Sequence, residues 1–213
     1  MPTDFLPSPM VLANALPSAD SAALDKKRLR RQLRQRRRAL SLFQQNRAAE
    51  RLAVQILRRP EFVSANTIAV YVAADGEIDS VPLIAAAWRS GKRVYLPVLR
   101  AGNRLRFAEY KPGAGLRRNR LGIPEPAIKH FRDPTRLDLV LMPLVAFDRR
   151  GGRLGMGGGF YDRTFAFLLA AAKRRPALVG LAHAFQETEA LPVEAWDVPM
   201  TAVVTDRGWI KVK

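Results

Sequence analysis

Three short, almost wholly apolar runs constrain this chain more than anything else in it. They are TIAVYV at 67–72, DLVLMPLVAF at 138–147 and ALVGLAHA at 177–184. Runs of that length, rich in β-branched residues and without polar alternation, read as strands covered on both faces. Helical stretches separate them. Asp79 and Ser80 are N-cap candidates for a helix through Leu83, Ile84 and Trp88, which Gly91 closes. RVYLPVL at 93–99 is a further strand, with Pro97 arguing for its end or an edge, and Leu105–Tyr110 alternates like an exposed strand. Tyr161–Arg175 reads as a helix, and a last strand falls near Thr201–Thr205. Strand, helix and strand joined by short links predict a Rossmann-like, three-layer α/β sandwich with a largely parallel central sheet.

The remaining composition narrows the function classes. At 48% hydrophobic and 26% charged, the 213 residues suffice for one well-packed domain. The absence of cysteine excludes disulfides, a thiolate nucleophile and cysteine-ligated metal, and two histidines are too few for a histidine-rich metal site. His130 is expected at the surface and His183 in the core. A net charge of +17 predicts attraction to polyanions. No stretch is long and apolar enough for a membrane span.

Residues 1–24 hold four prolines and no basic residue, which suits neither a secretory signal nor a transit peptide. Residues 1–25 are therefore expected to be a disordered extension, 26–213 a single domain, and the compartment cytoplasmic. From Lys26 to Phe43, the positions of Leu29, Leu33, Leu40 and Phe43 make one helical stripe, and Ala48, Leu52 and Ile56 continue a second helix until Pro60. Residues 111–137 read as a long irregular loop.

Six glycines (Gly151, Gly152, Gly155, Gly157, Gly158 and Gly159) crowd between a buried strand and a helix in FDRRGGRLGMGGGFYDR. Ligands of parallel sheets sit beyond the carboxyl ends of the strands. Glycine lets the backbone approach a ligand closely, and successive amides ahead of a helix converge on an anion. Arg153 adds a fork suited to phosphate or carboxylate. Neither the P-loop nor the dinucleotide fingerprint is present: no Lys-Ser/Thr follows the glycines, and Phe160 stands where the third fingerprint glycine belongs.

The run RLGMGGGFYDR resembles the signature of the 5-formyltetrahydrofolate cyclo-ligase family (methenyltetrahydrofolate synthetases). KKRLRRQLRQRRRALS, YVAADGEIDS, LGIPEP and LPVEAWDVPM follow the family's order, so the resemblance covers about Lys26 to the C-terminus. It implies ATP-dependent conversion of 5-formyltetrahydrofolate to 5,10-methenyltetrahydrofolate with magnesium, through a phosphorylated formyl group. Partners would be ATP and a reduced folate, with no specific nucleic acid, no membrane and a monomeric enzyme.

Carried over position by position, the resemblance places ATP against Lys26, Arg30 and the loop Arg153, Leu154, Gly155, Met156, Gly157, Gly158, Gly159, Phe160 and Tyr161. Folate would meet Val72, Glu77 and Met156 to Phe160. Tyr161 would stand beside the formyl group and the phosphate as the catalytic hydroxyl, and Asp162 and Asp197 would hold magnesium. Some members carry basic side chains where Met156 and Gly158 stand, which shifts phosphate contact onto amides and Arg153. Simpler roles remain open at this stage. Asp162 suits a helix's first turn, Asp197 a turn before Pro199, Glu77 a turn after Gly76, and Tyr161 packing under the loop. Nine of the thirteen residues from Lys26 to Arg38 are basic, most of them expected on a solvated face. Two other functions fit less well: a paralogue of the same fold acting on another formylated or phosphorylated compound, and a basic nucleic-acid-binding protein.

Overall fold

The computed structural model describes residues 19–119, 122–127, 130–170 and 176–212. Three helices come first: α1 (Ala19–Arg38), α2 (Leu42–Leu57) and the single turn α3 (Pro60–Val63). The expected helix from Lys26 to Phe43 is broken after Arg38 because Ser41 starts a new one. Its hydroxyl accepts the Gln44 N–H at 3.3 Å while Gln44 Oε1 accepts the Ser41 N–H at 2.8 Å, a reciprocal capping box. Leu40 falls in the link, and Phe43 faces solvent. At the other end, α1 begins at Ala19, so residues 19–25 are helical rather than part of an extension; residues 1–18 lie outside the described residues.

Then follow β1 (Thr67–Ala69), α4 (Val81–Arg89), β2 (Arg93–Arg100) and β3 (Arg104–Glu109). A small hairpin, β4 (Leu116–Arg118) with β5 (Pro124–Pro126), and β6 (Phe131–Arg132) occupy the span read as irregular loop. Next come β7 (Leu139–Pro143), β8 (Ala146–Phe147), β9 (Arg153–Leu154) and α5 (Phe160–Phe165). The helix expected over Tyr161–Arg175 is therefore short; it tightens into a 3₁₀ turn at Ala166–Leu169, and 171–175 lie outside the described residues. β10 (Ala177–Ala182), β11 (Ala202–Thr205) and β12 (Gly208–Lys211) end the chain.

Eight strands form one sheet in the order β12-β11-β10-β7-β1-β2-β3-β6. The five central strands, β11 to β2, are parallel, and antiparallel strands close both edges. Period-two alternation sorts the core into two layers. Leu139, Leu141, Val179 and Leu181 face α2 and α4, while Val140, Met142, Leu178 and Ala182 face the side of Phe165 in α5. The expected three-layer architecture is observed.

Pro97 lies inside β2 rather than at its end. Tyr95 and Leu99 share its parity; Tyr95 offers its carbonyl to Val70, and the Leu99 N–H goes to Glu125 Oε1. The N–H that Pro97 lacks would thus point where β1 has already ended, so no ladder bond is lost.

From β1 the chain moves to β2 on one side, and the later strands β7, β10 and β11 build outward on the other. The strand order therefore reverses at β1 and β7. The loops leaving their carboxyl ends, 70–80 and 144–159, face each other across the crevice where α/β sheets bind ligands.

Candidate active site

The glycine-rich stretch is two structures, not one loop. Its first half is the turn of the β8–β9 hairpin, organised by Asp148, which is fully buried. Asp148 Oδ1 accepts the N–H groups of Arg150 (2.9 Å) and Gly152 (2.8 Å), and Oδ2 accepts that of Leu191 (2.7 Å). A Cβ on Gly152 would lie 2.5 Å from that carboxylate, so only glycine fits. Sequence reading missed this aspartate, although an Asp followed by a Gly-Gly pair is a turn signal.

The second half, Gly155–Gly159, leads into α5. Gly157 has φ +95° and Gly159, the N-cap, has φ +61°, conformations that disfavour side chains. Arg30 reaches over this loop from α1: its Nε donates to the Gly155 carbonyl at 2.8 Å, and its guanidinium stands 3.7 Å from where a Gly157 Cβ would be. Partial burial lowers the pKa of Arg30. Arg163, one turn into α5, donates to the Gly158 carbonyl at 2.5 Å. Met156 is exposed at the tip.

Arg153 is turned away from this loop. One Nη donates to the Val198 carbonyl and the other to Asp162 Oδ1, which also accepts the Val198 N–H at 3.2 Å. With both forks engaged inside the protein, this guanidinium acts as a strut in this structure. Leu154 is likewise a core residue, packed with Leu33, Val145, Ala146 and Leu191. The strut fixes the 191–198 segment against α5. Lys26 holds that segment from α1 through Glu194 Oε1 at 3.4 Å, and Asp197 Oδ2 accepts the Glu194 N–H at 2.9 Å. Lys26, Arg30, Asp162 and Asp197 thus gather around one edge of the glycine loop.

The opposing loop comes from β1. Asp75, in a left-handed turn (φ +53°), accepts Arg34 Nε at 2.6 Å, Arg37 at 2.8 Å and Arg38. Gly76 packs so tightly on α1 that a Cβ would lie 2.8 Å from the Arg37 carbonyl carbon. Three of the arginines expected on a solvated face are therefore braces for this turn. Fully buried Arg37 also donates to the Leu144 carbonyl at 3.1 Å, tying the two crevice loops together. Neither Asp75 nor Arg37 was singled out from sequence.

That bracing sets Glu77. Its Oε2 accepts the Ala74 N–H at 3.1 Å, and burial raises its pKa from 4.5 to about 7, against the pull of that N–H and of Arg37. Burial also raises the Tyr161 phenol, and the Glu77 carboxylate adds to the rise. Val72 packs against the α2–α4 side of the core, and Tyr161, on the α5 side, stacks on Phe165 with ring centroids 6.4 Å apart. His183 is buried as expected, with its pKa lowered by desolvation, and its Nε2 lies 3.3 Å from the Gly76 carbonyl; His130 is exposed.

The arrangement offers amides, a cation and, at the start of α5, a phenol on one lip, and the Glu77 acid on the other. Asp162 and Asp197, the residues expected to hold magnesium, offer only oxygen, and no group of three or more His, Cys, Asp or Glu gathers among the described residues. Magnesium takes one or two carboxylates together with phosphate oxygens, so this pair fits as the protein's share of such a site.

Comparison with known proteins shows which family the chain resembles throughout most of its length. The chain is 50% identical over 178 residues to the 5-formyltetrahydrofolate cyclo-ligase of Escherichia coli (strain K12), covering 81% of this chain and 96% of that protein. Its Haemophilus influenzae counterpart is 40% identical, with coverages of 82% and 94%. Among solved structures, the Aquifex aeolicus 5,10-methenyltetrahydrofolate synthetase superposes with a TM-score of 0.75 at 31% identity, covering 88% of this chain and 93% of that one. The Mycoplasma pneumoniae enzyme of the same name superposes with a TM-score of 0.67 at 25% identity, covering 85% and 99%. Residues 22–206 match the sequence pattern of the 5-formyltetrahydrofolate cyclo-ligase family, and the chain belongs to that family.

Proposed function

We propose that this chain closes 5-formyltetrahydrofolate to 5,10-methenyltetrahydrofolate at the expense of ATP, in the crevice between the Asp75–Glu77 turn and the Gly155–Gly159 loop. The observation carrying this reading is the convergence of Arg30, the positive-φ glycines and Tyr161 opposite Glu77 at the switch point of the sheet. Lys26, Arg30 and the amides of 155–159 take the triphosphate. Val72, Glu77 and Met156–Phe160 receive the pterin, whose paired N–H groups donate to the Glu77 carboxylate.

The formyl oxygen attacks the γ-phosphorus and the bond to ADP breaks. The second folate nitrogen then attacks the activated formyl carbon, loses its proton, and the C–O bond breaks to release phosphate. The protein's contribution is alignment and charge stabilisation, which together supply roughly 7–11 kcal/mol in well-oriented reactions. Tyr161 stays protonated at neutral pH because burial raises its pKa, so it remains a donor to the oxygen bridging carbon and phosphorus. When bound, magnesium neutralises phosphate charge, and Asp162 and Asp197 are the side chains that would hold it.

The test is absorbance of methenyltetrahydrofolate with ATP and magnesium each omitted, run with a formyl group carrying oxygen-18. Label is expected in the inorganic phosphate. Product formation without ATP, or unlabelled phosphate, overturns the route.

A further inference from the structure

Positive charge is unevenly neutralised over the molecule. Arg34, Arg37 and Arg38 meet Asp75, Arg149 meets Glu187, and Arg153 meets Asp162. Arg36, Arg47, Arg51 and Arg207 pair with no carboxylate among the described residues. All four line two adjoining cavities of about 510 and 380 Å³, which share Arg51, Asp206 and Arg207. Together the cavities make a trough along α2, on the far side of the Gly76 turn from the folate crevice.

The trough has a definite pattern. Phe43, Arg47 and Arg51 follow one another at single-turn spacing, and Val54 ends the row. At 1.5 Å per residue this row is about 16 Å long. Phe43 is 70% exposed and Val54 56%, although both lie on an otherwise well-packed helix. Across from them His183 and Phe185 stack with centroids 5.2 Å apart, and the Arg36 guanidinium covers the outer Phe185 face at 4.4 Å. Arg36 thereby presents a flat cationic surface to the cavity. The one opposing acid is Asp206, whose Oδ1 accepts the Ala184 N–H at 2.8 Å. Buried His183 has a lowered pKa and adds no charge at neutral pH.

We propose that this trough binds single-stranded nucleic acid without sequence preference. Guanidinium groups one helical turn apart suit successive phosphates of an extended strand. Phe43 and the Arg36 plane supply surfaces on which unpaired bases stack. An acidic peptide would satisfy the arginines and leave both flat surfaces without a planar partner, so the strand is the better match. The reading is independent of the chemistry in the crevice, since none of these side chains is placed there.

The experiment is fluorescence anisotropy of a labelled oligouridylate and its DNA equivalent against the full chain, across 50–200 mM salt. Arg47→Glu with Arg51→Glu is expected to weaken binding at least tenfold and to flatten the log–log salt slope by about 1.4, the value for two phosphates on a single strand. Phe43→Ala is expected to lose about fivefold or more, the loss of one stacked base. A charge-matched control, Arg89→Glu with Arg93→Glu at exposed positions that line neither cavity, stays within threefold. Methenyltetrahydrofolate formation by the Arg47/Arg51 variant at the wild-type rate shows that it is folded. Equal loss in the control means general attraction to a chain of charge +17 and overturns the site. Competition by oligoglutamate as effective as by unlabelled oligonucleotide assigns the trough to acidic peptides and also overturns it.

Discussion

Arg37 and Asp75 bridge the two loops of the crevice: the guanidinium, wholly removed from solvent, lies 2.8 Å from the Asp75 carboxylate and 3.1 Å from the Leu144 carbonyl. Asp75 is also the acceptor for Arg34 and Arg38, so its loss strands a buried cation, whereas loss of Arg37 leaves the acid with two partners. Asp75→Asn is therefore expected to cost about 3 kcal/mol, at the lower end for breaking a buried pair. In a domain this size that lowers Tm by roughly 6–12 °C. Arg37→Met should cost less, because Gln186 Nε2 still donates to Leu144 at 2.7 Å. Thermal unfolding of both variants checks the order; a larger fall for Arg37→Met contradicts the account.

Glu77 sets a pH dependence. Desolvation raises it from 4.5 to about 7, Asp75 adds to the rise, and Ala74 N–H, Arg37 and Arg34 oppose it. A carboxylate is needed to accept the pterin N–H groups, so folate affinity should climb as pH rises through about 7 and then level. Glu77→Gln should abolish that step. The effect on stability has the opposite sign: an acid with a raised pKa favours the fold below about 4.5, and that contribution is lost as pH rises through 7. Folate titrations and thermal melts at pH 5–9 check both signs.

Neighbouring glycines in the nucleotide loop should respond differently to a methyl group. Gly157 has φ +95° and lies under the Arg30 guanidinium, so Gly157→Ala is expected to cost about 1–3 kcal/mol of backbone strain and to raise the ATP KM. A Cβ on Gly155 meets nothing within 4 Å, and Gly155→Ala should leave both stability and KM near wild type. Equal effects at the two positions would remove the distinction.

This contrast marks where sequence reading stops. The apolar runs foretold the strands because burial on both faces leaves a compositional trace. The glycine cluster foretold the crevice because left-handed turns and close approach demand glycine. Capping at Ser41 was legible as Ser-x-x-Gln yet was overrun by an uninterrupted leucine stripe. Asp75 and Arg37 left no local trace, since the partners of Arg37 lie 38 to 107 residues away; Asp148 left only a turn signal, and its bond to Leu191, 43 residues on, left none. The strut role of Arg153 was illegible for the same reason: its partners Asp162 and Val198 meet it only after folding.

Tyr161 separates catalysis from packing. Its ring stacks on Phe165, so Tyr161→Phe keeps the stack and removes only the hydroxyl that the proposed function uses as a donor. kcat is expected to fall about 100-fold, the usual cost of one transition-state donor, with Tm unchanged. Wild-type turnover in a folded variant would reduce Tyr161 to a packing residue.

Asp162 carries two roles that a single substitution confounds and a pair of substitutions separates. As the partner of Arg153 it pins the 191–198 segment; in the proposed function it is also, with Asp197, an oxygen donor to magnesium. Asp162→Asn weakens the strut and is expected to cost about 1–3 kcal/mol. Arg153→Met breaks the same strut from the cationic side and should lower Tm comparably. The two diverge in magnesium. Removing a carboxylate raises the magnesium concentration needed for half-maximal turnover severalfold, whereas removing the neighbouring guanidinium leaves it unchanged or lowers it, because a competing positive charge is gone. If the Asp162→Asn titration overlays the wild type while its Tm falls with that of Arg153→Met, the aspartate is a strut alone.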